Sequence, residues 1–282
     1  NIITGRNQVE AGTLKATART DTPNAQPLLA IDSSALGGMY AGAIRLVGTE
    51  AGVGVKLAGD MAASAGDIHI DANGKLTLAR VSAKSDLHIN AAQDVELTQQ
   101  AYAGHDINIA ATTLHNQDGL LAGQAITIDA EQVRNTGVIE AGINADGSLN
   151  HQGRVRIQSA ELTNSGSMVA SQELDIKATR KLDNRSGQLV SDGDLRLNAG
   201  QLDNRQGLMT AAGRTRITAG HIDNRNRGEI SSQQQLSVKA DQLDNSETGR
   251  LIGEASVSVQ ADALDNQSSG VVATAGSLSV TA

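Results

Sequence analysis

The chain has no cysteine, no tryptophan and no phenylalanine, and only two tyrosines and two prolines in 282 residues. Without cysteine there are no disulfides and no thiolate metal sites. Without aromatic rings a core of ordinary globular width loses its large fillers. Leu, Ile, Val and Ala must fill the interior, so the interior should be narrow. The usual stacking platform for sugars is also scarce. No apolar run reaches the ~18 residues of a membrane helix, so no membrane insertion is expected. An excess of positive charge is missing too. The net charge of −8 and a pI near 5.2 argue against a dedicated nucleic-acid binder. No signal peptide opens the chain. Its first residues, NIITGRNQVEAG, read like the middle of a longer protein.

What the chain has instead is repetition. Thirty glycines imply many turns. A Leu/Ile-Asp-Asn phrase and looser relatives of it place Asn at 116, 135, 164, 184, 204, 224, 245 and 266, with one step about ten residues longer than the rest. A Gly follows each phrase, at 119, 137, 166, 187, 207, 228, 249 and 270. The Asn-to-Gly distance varies, whereas the last four complete repeats keep 17 residues from Gly to the next Asn. One turn tolerates length changes, as exposed turns do; the remainder does not.

Within the fixed part, residues align in columns. Two after Gly stand Leu121, Ile139, Met168, Leu189, Met209, Ile230, Leu251 and Val272. Four after Gly stand the small residues Gly123, Ala141, Ala170, Ser191, Ala211, Ser232, Gly253 and Thr274. Further on come Ile176, Leu197, Ile217, Val238, Val259 and Val280, then an alanine column at 178, 199, 219, 240, 261 and 282. Apolar and polar residues alternate, the pattern of short strands with one buried face. Short strands at a ~20-residue period predict an all-β parallel solenoid, each coil laid on the last. Roughly eleven coils from residue 60 onward would span about 50 Å. A leucine-rich repeat shares the period but needs L-x-x-L-x-L ahead of its Asn; here the phrase is A-x-x-L-D-N.

The Asn column Asn116, Asn135, Asn164, Asn184, Asn204, Asn224, Asn245 and Asn266 is expected to form a buried ladder. Each amide would bond its own turn and the amides above and below. The following Gly is expected to supply a backbone conformation that other residues resist. Residues 66–110 carry the same strand pairs, with Ile68, Leu87 and Ile107 spaced 19 and 20 apart. Residues 1–65 are less regular. The stretch TARTDTPNAQPLLA holds both prolines and reads as a loop.

Two features resemble the filamentous haemagglutinin family of two-partner secreted exoproteins. That group includes haemagglutinin adhesins, haemolysins and contact-dependent growth inhibition toxins. One feature is IDSSALGGMYAGAIRLVGTEAGVGVKLAG (residues 31–59), similar to the segment after the amino-terminal secretion domain. The other is the run of LDNRQGLMTAAG-type repeats. The resemblance implies a right-handed parallel β-helix. Residues 1–65 would be irregular coils following a secretion domain outside this chain, and residues 66–282 the haemagglutinin-repeat helix. It also implies secretion through an outer-membrane transporter to the surface of a Gram-negative bacterium. The expected role is a stalk that presents a distal binding or toxin element. The alternative is that the rod itself binds a cell-surface receptor or an acidic glycan. No toxin motif is present to receive a catalytic residue, so no enzyme activity and no cofactor are expected.

The remaining candidates are few. His69, His88 and His105 fall in successive coils, but a zinc site needs three or four convergent ligands, and His69 and His88 should point outward. The acids Asp183, Asp203, Asp223, Asp244 and Asp265 could gather Ca²⁺ for polysaccharide cleavage. Asp-Asn turn formation accounts for them more simply. Arg185, Arg205 and Arg225 either form a basic ladder for an acidic glycan or pair with the neighbouring Asp, the more economical reading. The excess loop INADGSLNHQGR, with Asn150 and His151, projects from the rod whichever way the coils run. It is a possible receptor contact or a tolerated insertion.

Overall fold

A computed structural model describes residues 1–19, 28–33 and 37–282. The loop expected around Pro23 and Pro27 lies outside these residues. Every regular element among them is a β-strand. The strands stack in parallel as the solenoid that the columns predict. Ile2, Leu46, Ile70, Ile89, Ile109 and Ile128 pair in turn, and the same file continues to Val280 through Ile157, Ile176, Leu197, Ile217, Val238 and Val259. That file marks about twelve coils.

Each coil has three faces. In one early coil, face 1 is Ile68–Ala72, face 2 is Leu76–Leu78 and face 3 is Val81–Ala83. In later coils faces 1 and 2 fuse into one long strand. Leu87–Ala91 and Asp94–Leu97 both pair with the single strand Ile107–Asn116. The alanine file lies at the corner this strand turns: Ala178, Ala199, Ala219, Ala240 and Ala261 are buried and in register. A larger side chain would push the two faces apart there. Inward residues of all three faces form one continuous core of Leu, Ile, Val, Met and Ala. This core is narrow enough to need no aromatic filler.

Pairing runs without a break across residue 65, since Ile44–Gly48 pairs with Ile68–Ala72 and Met39–Ala41 with Met61–Ala63. The earlier coils differ in length. The first carries an antiparallel pair, Asn7–Val9 with Ala16–Ala18, before the chain rejoins the stack. Ile126 pairs with Val155, so this coil contains the long step seen in the sequence.

Two expectations need correction. Leu120 and Ala122, not Leu121 and Gly123, stand in the apolar and small files, because Gly119 pairs with Val138 rather than with Gly137. Leu121 therefore faces outward. Counting from Gly failed here because the turn keeps its length while the glycine moves one position along it: Asn116 to Leu120 and Asn135 to Ile139 are equally spaced, and Asp118 stands where Gly137 does. The second concerns the turn glycines. Left-handed backbone falls on the residues before them, Ser186 (φ 58°), Gln206 (φ 58°) and the pairs Asn226–Arg227, Glu247–Thr248 and Ser268–Ser269. Glycine is needed for space. A Cβ on Gly187 or Gly207 would run into the carbonyl of the Asn one coil back and the amide of its own Asn.

Candidate functional site

The phrase Leu/Ile-Asp-Asn sits where face 2 ends and the chain turns to face 3. Its Leu or Ile points into the core. Leu182, Leu202, Ile222 and Leu243 are stacked and buried. Strand alternation turns the Asp outward and the Asn, two residues after the Leu or Ile, inward. The ladder residues from Asn116 to Asn245 are accordingly all buried. Each Asn Nδ2 donates to the Oδ1 of the next: Asn116 to Asn135, Asn135 to Asn164, Asn164 to Asn184, Asn184 to Asn204 and Asn204 to Asn224, all at 2.8 Å. Asn224 to Asn245 and Asn245 to Asn266 follow at 2.7 Å. The same Nδ2 also reaches carbonyls, as Asn204 does to Gly207 at 3.2 Å and to Glu229 of the next coil at 3.2 Å. The ladder thus has a direction, with donors toward the carboxy-terminal end.

Its lower end is abrupt. The file below Asn116 is Leu97, Leu78 and Leu57. An apolar file gives way to an amide file within one coil. Asn116 Oδ1 is buried with no donor, the cost of that junction.

The Asp column lies just outside the Asn column. Asp183 pairs with Asp203, Asp203 with Asp223, Asp223 with Asp244 and Asp244 with Asp265 in register. Each Oδ1 accepts the backbone N–H two residues on, as Arg225 N to Asp223 at 3.2 Å and Ser246 N to Asp244 at 3.0 Å. That is the Asx turn. The arginines settle between these like charges. Arg185 holds Asp183 at 2.8 Å and reaches Asp203 at 3.6 Å. Arg205 holds Asp203 at 2.7 Å and Asp223 at 3.3 Å. Arg225 holds Asp223 at 2.9 Å and Asp244 at 3.3 Å. Charges alternate along the stack. Burial pushes the Asp183 and Asp223 carboxyls up, but hydrogen bonds and charge from Arg185 and Arg225 outweigh it and hold both below their ordinary value. Hydrogen bonding to Asp183, Asp203 and Asp223 raises the three guanidinium values in turn.

The other sequence candidates are dispersed. His69 and His88 face outward on face 1, ring centroids 5.7 Å apart, and His69 Nε2 lies 2.9 Å from Asp71. His105 stands apart, 3.9 Å from Asp86. No metal-holding group of His, Cys, Asp and Glu occurs among the described residues. Asn150 acts as a tether: its Nδ2 donates to Gly123 O at 2.9 Å and to Asn144 Oδ1 at 3.0 Å. His151 is exposed.

The haemagglutinin-repeat family model matches residues 2–99, 89–179, 152–220 and 210–282, nearly the whole chain. The chain belongs to the filamentous haemagglutinin family. Each matched stretch covers several coils, and the last three carry the rungs of the Asn ladder. The relatives include the tRNA nuclease CdiA of Yersinia mollaretii, 32% identical over 71% of this chain and 6% of that protein. The 16S rRNA endonuclease CdiA of Enterobacter cloacae is 31% identical over 69% of this chain and 6% of its own length. The toxin CdiA of Yersinia pestis is 46% identical over 34% of this chain and 3% of its length. The matched stretch thus spans only a few per cent of the length of these curated relatives. No solved structure matches the chain. The haemagglutinin-repeat columns were legible as columns; the Leu-to-Asn junction was missed, although Leu57, Leu78 and Leu97 stand in step with Asn116 in the sequence.

Proposed function

We propose that this segment is a stalk of a secreted filamentous exoprotein on the surface of a Gram-negative bacterium, and that it holds a distal binding or toxic element away from the cell. The carrying observation is the coil-to-coil strand pairing that links Ile2 to Thr281, with local bulges such as those between Ser159 and Glu161 and between Ala178 and Lys181, together with amide and charge ladders that spend the polar groups of the repeat on one another. A part built this way transmits position and offers little chemistry. The resemblance to CdiA proteins supports an outer-membrane transporter as the secretion partner and a toxin as the presented element. The nuclease activities named for those relatives are assigned no residue here. Arg185, Arg205 and Arg225 each hold two carboxylates, which supports turn-to-turn pairing over an acidic-glycan ladder.

The test uses the parent exoprotein. Excising coils in pairs should preserve surface display and bring a label placed beyond the segment closer to the cell, by about 10 Å per pair. Lost display, or an unchanged label distance, would overturn the stalk reading.

A further inference from the structure

Face 1 turns three positions of each coil to solvent. They are the residue just before the first inward side chain and the two outward residues that follow, such as Asp67, His69 and Asp71. Nine coils of this face, from Asp67 to Lys239, carry their charge in two blocks. The first block spans four coils and holds five aspartates, Asp67, Asp71, Asp86, Asp106 and Asp129, with no lysine or arginine among its outward residues. Arg45, one coil earlier, lies outside it. The second block spans five coils. It holds seven basic residues against Glu173, Asp175 and Asp194, an excess of four.

These charges are largely unspent. Arg154, Arg156, Lys177, Arg214, Arg216 and Lys239 make no ion pair among the described residues. The seventh, Arg196, holds Glu173 and reaches Asp194 at 3.7 Å. None of the five aspartates meets a lysine or arginine among the described residues. Asp71 lies beside His69 and Asp86 beside His105. Asp67, Asp86 and Asp106 each accept the backbone N–H one coil on, which leaves their charge in place. At the Asp-Asn turns the same residue types neutralise one another, so this segregation by sign belongs to face 1. The face is also clear. The insertion leaves at its corner but turns toward Tyr102 on face 3. The strand Ala16–Ala18 borders the opposite edge, beside Asp71 and Asn90.

We propose that two copies of this chain pair face 1 to face 1 in antiparallel fashion, about a two-fold axis between the coils of Asp129 and Arg154. That axis sets the acidic block of each copy on the basic block of the other, so the surface is complementary to itself. The charge boundary decides the orientation. Parallel copies in register would oppose acid to acid and base to base, which repels. Parallel copies slipped by about five coils would match one block and leave the other open to a third copy. The two-fold arrangement uses both blocks and closes. Nine coils and three outward files make a patch about 38 Å long and, with side chains, about 17 Å wide. Roughly 650 Å² per partner, or about 1,300 Å² in all, lies within the range of specific interfaces. With few apolar side chains on the face, attraction rests on charge and weakens with salt. A long polyanion is disfavoured, because the acidic block continues the same face. The pairing goes beyond the stalk reading and does not depend on it.

The experiment is sedimentation equilibrium of the intact chain. A monomer–dimer equilibrium is expected at low salt. It should weaken at least tenfold between about 0.1 M and 1 M salt, where the screening length falls from about 10 Å to about 3 Å. Two charge-reversed variants separate the blocks: Arg156→Glu with Arg216→Glu, and Asp71→Lys with Asp129→Lys. Asp71 bonds only the side chains of His69 and Asn90, and the other three anchor no backbone group, so both variants should melt as the parent does. Each alone should stay monomeric. An equimolar mixture should dimerise like the parent, because every reversed charge then faces a reversed partner. The chain has no cysteine, so a spin label on Ser258→Cys is unique. Its twin should lie about 50 Å away across an antiparallel pair, against about 25 Å across a slipped parallel one. A folded parent that stays monomeric at low salt, at its highest soluble concentration, would overturn the proposal. So would dimers indifferent to salt, a variant mixture that fails to pair, or labels about 25 Å apart.

Discussion

At the scale of the residue, position in a file matters more than residue type. Asn204 donates to Asn224 and accepts from Asn184, while Asn116 accepts from nothing. Asn204→Ala should leave Asn224 Oδ1 buried without a donor, strip Asn184 Nδ2 of its shortest partner and lower stability by roughly 3 kcal/mol. Asn116→Ala removes an orphaned oxygen along with its useful amide and should cost about half as much. Chemical denaturation of both variants checks the order; equal losses would mean that the ladder bonds carry no weight. The turn makes a second contrast. Gly207→Ala should destabilise by steric collision with Asn184 and Asn204. Gln206→Gly, one residue earlier, should be neutral or stabilising by up to about 1 kcal/mol, because it relieves a left-handed side chain. The sequence makes the glycine conspicuous but not its reason. Space and backbone freedom leave the same letter in the chain, and only the neighbouring coil distinguishes them.

At the scale of the element, one coil meets the next through strand pairing, an amide rung and a shared arginine. The arginine link responds to pH. Asp183 and Asp223 ionise more readily folded than unfolded, where the ordinary value is 3.8. Their contribution is fully present above that value and is lost as pH falls through the lower, folded values. The thermal midpoint should therefore stay level from neutral pH to about 5 and drop below about 4. Replacing Arg185 and Arg225 with Met should flatten the acid limb as well as lower the neutral plateau. An unchanged acid limb in that variant would remove the arginines from the argument. These pairs were legible, since Arg follows Asp-Asn three times; their sharing between coils was not, because a single repeat does not show where the next one lies. Ser159 shows the same limit. It occupies the alanine file with its hydroxyl buried and unpartnered. Ser159→Ala should raise stability by about 1 kcal/mol, measured by the same denaturation.

At the scale of the whole molecule, contacts join each coil only to its neighbours, so the chain behaves as a one-dimensional stack. That is why architecture could be read from the letters: a file requires like residues at a fixed period. The return of the insertion at residues 143–149 to Tyr102 could not be read in the same way, because a repeat period does not say where an inserted loop folds back. The stack also makes a sharp claim about deletions. Removing residues 195–214 takes out one coil. Asn184 then meets Asn224, Asp183 meets Asp223, Ile176 meets Ile217 and Leu189 meets Ile230, each pairing like with like. One coil interface is lost and an equivalent one forms. The shortened chain should unfold in a single transition with a midpoint close to the parent's, followed by circular dichroism. Removing only residues 205–214 deletes half a period. Asn204 would keep its place, but the apolar file of face 3 would lose Met209 and the inward alternation of the next coil would fall out of step. That variant should melt far lower or aggregate. If both deletions behave alike, stability does not reside in register, and the files seen in sequence and structure would need another cause.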